Sequence, residues 1–195
     1  MNRRRNLLSV SKVNVPDDYC AVNAYATMLG NGGMFQDAIL PEEFTMDFSS
    51  LKDTCSIARL FYTTKDYIQT PVVLNIIGDT SKINDYTLFL CRRSGIETIN
   101  GTLDFSNCTT LDRPFLYCSA LKNITVANGS IHADFDISST SVLTNESVQS
   151  IVDGLADITE TASCTVTFNA NQLITQAQAD GISAKGWTLS GGLIS

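Results

Sequence analysis

The chain has one histidine, one tryptophan and four prolines among its 195 residues. It has no run of about 18 or more consecutive apolar residues, so no membrane span is predicted. The histidine, His132, is not accompanied by a GxSxG nucleophile elbow, which leaves Ser-His-Asp chemistry without support. A solvent-exposed histidine on a loop is the expectation instead. The glycine string GNGG at 30–33 lacks both the lysine and the preceding strand of a phosphate loop. There is no CxxC and no Cys/His grouping at zinc spacing, so neither a metal nor a cofactor is expected. Cations are the scarcer sign: 13 Lys and Arg against 20 Asp and Glu give a formal charge of −7. Such a surface repels phosphate backbones and argues against a nucleic-acid partner. The one basic cluster, Arg3-Arg4-Arg5, is followed by NLLSVSKVNVPDD, which offers no apolar core for a secretory signal. That cluster reads as a solvated terminus.

An apolar fraction of 44% and a charged fraction of 17% lie in the globular range. The length suits one sizeable domain, or one short repeat array with caps. Six cysteines, Cys20, Cys55, Cys91, Cys108, Cys118 and Cys164, are scattered rather than clustered. They are expected to pack mostly as small buried thiols rather than as a disulfide framework.

Residues 1–33 read as an extended lead-in and a cap helix. Asp17 or Asp18 would cap that helix, Tyr19, Val22, Ala26 and Leu29 follow at helical spacing, and Gly30 to Gly33 would end it. Residues 34–143 repeat. Phe35, Phe61, Phe89 and Phe115 recur at intervals of 26, 28 and 26 residues, each followed by an apolar pair or run. Short alternating strands are expected at 46–48, 74–76, 103–105 and 135–137, with two later ones at 166–168 and 187–189. A fixed period of about 20 to 50 residues marks a solenoid. Strands this short bury too little alone, but stacked about 4.8 Å apart they share a continuous core. The fold expected is therefore an α/β solenoid of short parallel strands. Met46, Leu74, Leu103, Phe135, Val166 and Trp187 would line the inside. Residues 144–195 then form an α/β cap: a helix from Thr144 or Asn145, and a second from Thr175 to Gly186.

On that alignment the opposite face carries Asp47, Asn75, Asp104, Asp136 and Thr167 in one row. Acids facing one another across strands are destabilising, so a bound cation or a ligand's hydroxyls could explain the row, although a solvent-facing row screened by water is the plainer explanation. The row is the candidate ligand surface, for protein or glycan. The adjacent pairs Glu42-Glu43 and Asp17-Asp18 read as solvated charges. The Asn-x-Ser/Thr strings at Asn107, Asn123, Asn128 and Asn145 read as chance matches in a chain rich in those residues. Among 20 acids nothing selects the facing carboxylate pair that a glycan-cleaving enzyme requires.

The strings FLYCSALKNI (115–124), LFLCRRSGIETI (88–99) and LDFS (103–106), with the ending from Leu143 to Ser190, resemble the BspA-like branch of leucine-rich repeat proteins. The resemblance implies a leucine-rich-repeat-like, right-handed array. It also implies a non-enzymatic recognition or structural role, either as a gut-bacterial surface protein or in a tailed-phage virion. Leucine is sparse here, and the absence of an export signal turns the expectation toward a tail-associated virion protein that contacts a cell surface. A bacterial adhesin is the alternative. Such a module would meet a protein or glycan on a cell surface, and a homo-oligomer is compatible with it.

Overall fold

The computed structural model describes residues 11–15, 35, 38–63, 72–108, 111–160 and 163–195. The expected helix after Asp18, the GNGG stop and Cys20 lie outside the described residues. Within them the protein is mixed α/β, with parallel sheets, few helices and no closed barrel.

The largest sheet contains β1 (Lys12–Asn14), β2 (Glu43–Asp47), β4 (Val72–Ile77), β6 (Ile96–Leu103) and β7 (Asn123–Val126), side by side in that order and all parallel. A second parallel sheet joins β8 (Phe135–Asp136), β9 (Thr165–Thr167) and β11 (Thr188–Ser190). Two smaller parallel pairs link β3 (Cys55–Ser56) to β5 (Ile83–Asp85), and β10 (Leu173–Ile174) to β12 (Leu193–Ile194). Period-two alternation explains the strands. Phe44 and Met46 of β2, Val72, Leu74 and Ile76 of β4, and Ile124 and Val126 of β7 point inward, with Thr45, Val73, Asn75 and Thr125 between them on the more exposed face. The buried apolar residues from Val15 to Trp187 form one cluster.

The register differs from the expected one. Met46 faces Ile76, and Leu74 faces Phe44 on one side and Ile99 on the other. Leu103, the last residue of β6, faces Val126. Phe135 faces Val166, which faces Leu189 rather than Trp187. A constant interval is wrong by two residues between β2 and β4 and by four between β4 and β6. Both errors are even, so inward residues remain inward while their partners change. The irregularity has local causes. Pairing slips between Val72 and Val73, and again along β6 between Thr98 and Thr102. Gly101 sits at that second slip with φ +102°, where a Cβ would lie 2.2 Å from the Ile76 carbonyl oxygen. Only glycine fits there.

The aromatic turns form as expected. Arg59 and Phe61 N–H donate to the Thr87 and Phe89 carbonyls at 2.9 and 3.0 Å, and Leu88 and Leu90 donate to those of Asp112 and Pro114 at 3.0 and 2.9 Å. Arg59, Leu88 and Arg113 enter these turns with positive φ, so the same uncommon backbone step recurs from segment to segment. Phe35 stacks on Phe61 at 5.1 Å, and Phe61 meets Phe89 edge-on at 5.6 Å. The Phe115 ring instead meets Phe135, at 6.2 Å. Behind them Arg93 is fully buried. Its guanidinium donates to the carbonyls of Phe61, Ala38 and Phe35 at 2.5, 2.5 and 2.6 Å.

After β8 the chain forms α1 (Asn145–Gly154), capped by Thr144, and later α2 (Gln176–Ala184), whose N-cap Thr175 makes a reciprocal capping box with Gln178. Gly186 follows the last turn of α2 with φ +82°, the expected glycine stop. Val148, Ile151 and Val152 of α1 are buried, as its spacing predicts. Cys55, Cys118 and Cys164 are buried free thiols, and Cys108 is a half-buried one. Burial raises the Cys108 thiol to about 12 and Cys118 higher still, which leaves little thiolate at neutral pH. Among the described residues no helix is long and apolar enough to cross a membrane.

Candidate functional site

The five residues expected in one row are not brought together. Asp47 lies opposite Ile77 rather than Asn75, and its carboxylate pairs with Lys12 Nζ at 2.9 Å. Asp104 stands one residue past the end of β6. Asp136 and Thr167 do face each other, but in the second sheet. The expected acidic row is therefore absent, because it depended on the uniform register corrected above.

What the acids do instead is local. Asp47, Asp104 and Asp136 each accept, through Oδ1, the backbone N–H of the serine two residues on, at 3.0, 2.9 and 2.9 Å. Asp79 and Asp157 do the same for Ser81 and Thr159 at 3.0 and 3.1 Å. These are Asx turns, in which a short side chain takes the place of a backbone acceptor at a sharp corner. The signal, Asp-x-Ser/Thr at or just past the ends of β2, β4, β6 and β8 and again at Asp157, is plain in the sequence once sought. Hydrogen bonds from Lys12, first, and then Ser49 hold the Asp47 carboxyl at about 2. The Ser81 hydroxyl and amide lower Asp79, and the Thr159 amide and hydroxyl lower Asp157.

Asn75 is the predicted residue that lies on a continuous polar row. Its Nδ2 donates to Glu43 Oε1 at 2.8 Å, and its Oδ1 accepts from Asn100 Nδ2 at 2.8 Å. A second row runs from the Thr98 hydroxyl to Asn123 Nδ2 at 3.0 Å, then from Asn123 Oδ1 to the Thr144 hydroxyl at 3.4 Å. Together the two rows cross β2, β4, β6 and β7 and reach the cap of α1. Sequence reasoning missed the contacts of Asn100, Asn123 and Thr144 because it placed a strand at 103–105 instead of 96–103, where β6 buries Ile96, Ile99 and Leu103 without the period-two alternation that announces a strand.

Two concave places adjoin these polar faces. A cavity of about 540 Å³ holds Asp136 and Thr167 together with Asp134, Thr165 and the Asp112–Arg113 ion pair, over a floor of Leu111 and Phe135. A narrower trough of about 340 Å³ runs between β6, β7 and the start of α1, past Asn100, Gly101, Asn123, Thr125, Thr144 and Glu146. Among the described residues no group of three His, Cys, Asp or Glu is arranged to hold a metal ion. His132 is exposed. Comparison of the chain with protein-family models, with curated proteins and with solved structures gives no match.

Proposed function

We propose that the protein is a non-enzymatic recognition module. On this reading it is a right-handed, leucine-rich-repeat-like solenoid whose α/β end shields the last sheet edge. It works as a tail-associated virion protein that contacts a protein or glycan on a cell surface. The observation that carries the recognition role is the hydrogen-bonded row that runs from the Glu43 carboxylate through the side-chain amides of Asn75 and Asn100, with its neighbour of amide and hydroxyls from Thr98 through Asn123 to Thr144. Amides fixed on strands over a close-packed core are pre-organised donors and acceptors, and pre-organisation lowers the entropy lost on binding. Each of these amides still has unused hydrogen-bonding capacity. The virion placement rests on the resemblance of the repeat and tail strings.

The test is binding of the fluorescently labelled chain to a panel of whole bacterial cells, beside the Asn75→Ala/Asn100→Ala variant. Saturable binding to some strains, reduced at least tenfold in the variant, is expected. Uniform absence of binding, or equal binding by the variant at equal thermal stability, would sink the assignment of this face.

A further inference from the structure

From the trough between β7 and α1 we infer a subsite for one short, uncharged, hydroxyl-rich saccharide of the surface target; this rests on the recognition reading above. The site exists because the backbone changes type. A strand occupies a slot about 4.8 Å wide, whereas a helix with its side chains is about 10 to 12 Å across. Where α1 follows β7, the helix forms a wall beside the sheet and leaves a trough of about 340 Å³ at its foot. That is the lower end of the range of small-molecule sites, about 300–1,000 Å³.

The lining selects the chemistry. Asn100 uses its Nδ2 on Asn75, and its carbonyl oxygen has no partner among the described residues. The Thr125 hydroxyl and the Glu146 carboxylate likewise make no hydrogen bond or ion pair among the described residues, and both line the trough. The open groups are thus mainly acceptors, which ask for donors on the ligand. Among the described residues no lysine or arginine lines the trough, so phosphates and carboxylates meet Glu146 without compensation. Sugar hydroxyls supply several donors at once, and a carboxylate that accepts two of them makes the stronger, charge-assisted type of bond. The walls are a strand and a helix rather than loops, which keeps the open groups fixed.

The experiment is an amide-shift titration of the isotope-labelled full chain with maltotriose, with the β-1,4-linked N-acetylglucosamine trimer and with a galactose disaccharide. Tetralysine and inorganic phosphate serve as contrasting probes. Saturable shifts at Gly101, Asn123, Thr125 and Glu146 with at least one saccharide are expected, weakened about tenfold or more by Glu146→Gln and by Thr125→Val. Shifts that arise only with tetralysine would overturn the saccharide and assign a basic peptide instead. Shifts confined to the larger cavity, or unchanged affinity in both variants, would overturn the site. If cells bind the wild type and both trough variants alike, this subsite fails while the recognition role stands. If neither cells nor saccharides bind, both fail.

Discussion

From Glu43 to Val126 one side of the molecule is built of parallel strands, and from Asn145 to Ala184 the same side continues as helices. The second sheet makes no such change: β8, β9 and β11 pair strand to strand through the whole helical stretch. The difference shows what the end of a sheet requires. A strand carries one row of backbone groups for each neighbour, so another strand would only move the open edge along. A helix satisfies its own backbone and can close that edge with side chains. Ser147 and Ser150, three residues apart on α1, do this: their Oγ atoms accept the Ile124 and Val126 N–H at 3.0 and 2.9 Å. The helical side is then knit by polar side chains instead of ladders. Gln178 reaches the Asn145 carbonyl and side chain, and Lys185 Nζ donates to the carbonyls of Val152, Asp153 and Leu155 at 2.9, 2.9 and 2.7 Å.

The strand region should be most sensitive at Arg93. Replacing it with methionine strands the carbonyls of Phe35, Ala38 and Phe61 in the core and is expected to cost about 3–5 kcal/mol in urea unfolding. The matching position of the helical region is Lys185. Lys185→Met removes the donor to three carbonyls at the end of α1, but that end is half-exposed, so a loss of about 1–2 kcal/mol is expected in the same measurement. Equal losses at the two sites would show that burial does not separate the regions.

Corners should respond less than either. Asp104→Ala leaves the Ser106 N–H without its acceptor and is expected to lower stability by about 1 kcal/mol, and Asp104→Asn recovers most of it because the amide oxygen can still accept. If asparagine is as damaging as alanine, charge rather than turn geometry matters there. The smallest effect concerns Asp47. Its carboxyl lies at about 2 against an ordinary 3.8, so the folded state favours the carboxylate. The stabilisation is full above pH 4 or so and is lost as the pH falls through about 2. In a carboxyl titration by NMR, Lys12→Met should move the Asp47 midpoint upward, toward its ordinary value. An unmoved midpoint would exclude Lys12 as the main cause.

Much of this could be read in advance where signals are local. Thr144 and Thr175 announce their helices, Gly186 ends one, and Phe35, Phe61 and Phe89 mark turns that touch. The strand rows could not be read in the same way. Their partners depend on how many residues each connection takes, and that number changes where Gly101 and the slip at Val72 absorb residues. A period averaged over the chain therefore keeps each side chain on its proper face and still mismatches the rows. The candidate site suffered most, since a row is a statement about partners. Asp47, Asp104 and Asp136 were legible as turn residues from the serines that follow them, whereas the Asn75–Asn100 contact needed the register.

Hydrogen exchange at the Ile124 and Val126 amides tests most directly whether α1 seals the edge of β7. Both should exchange as slowly as Leu74 in the sheet interior, and Ser147→Ala/Ser150→Ala should release those two amides by orders of magnitude while Leu74 stays slow. Fast exchange at Ile124 and Val126 in the unaltered protein, or slow exchange that survives loss of both hydroxyls, would contradict it.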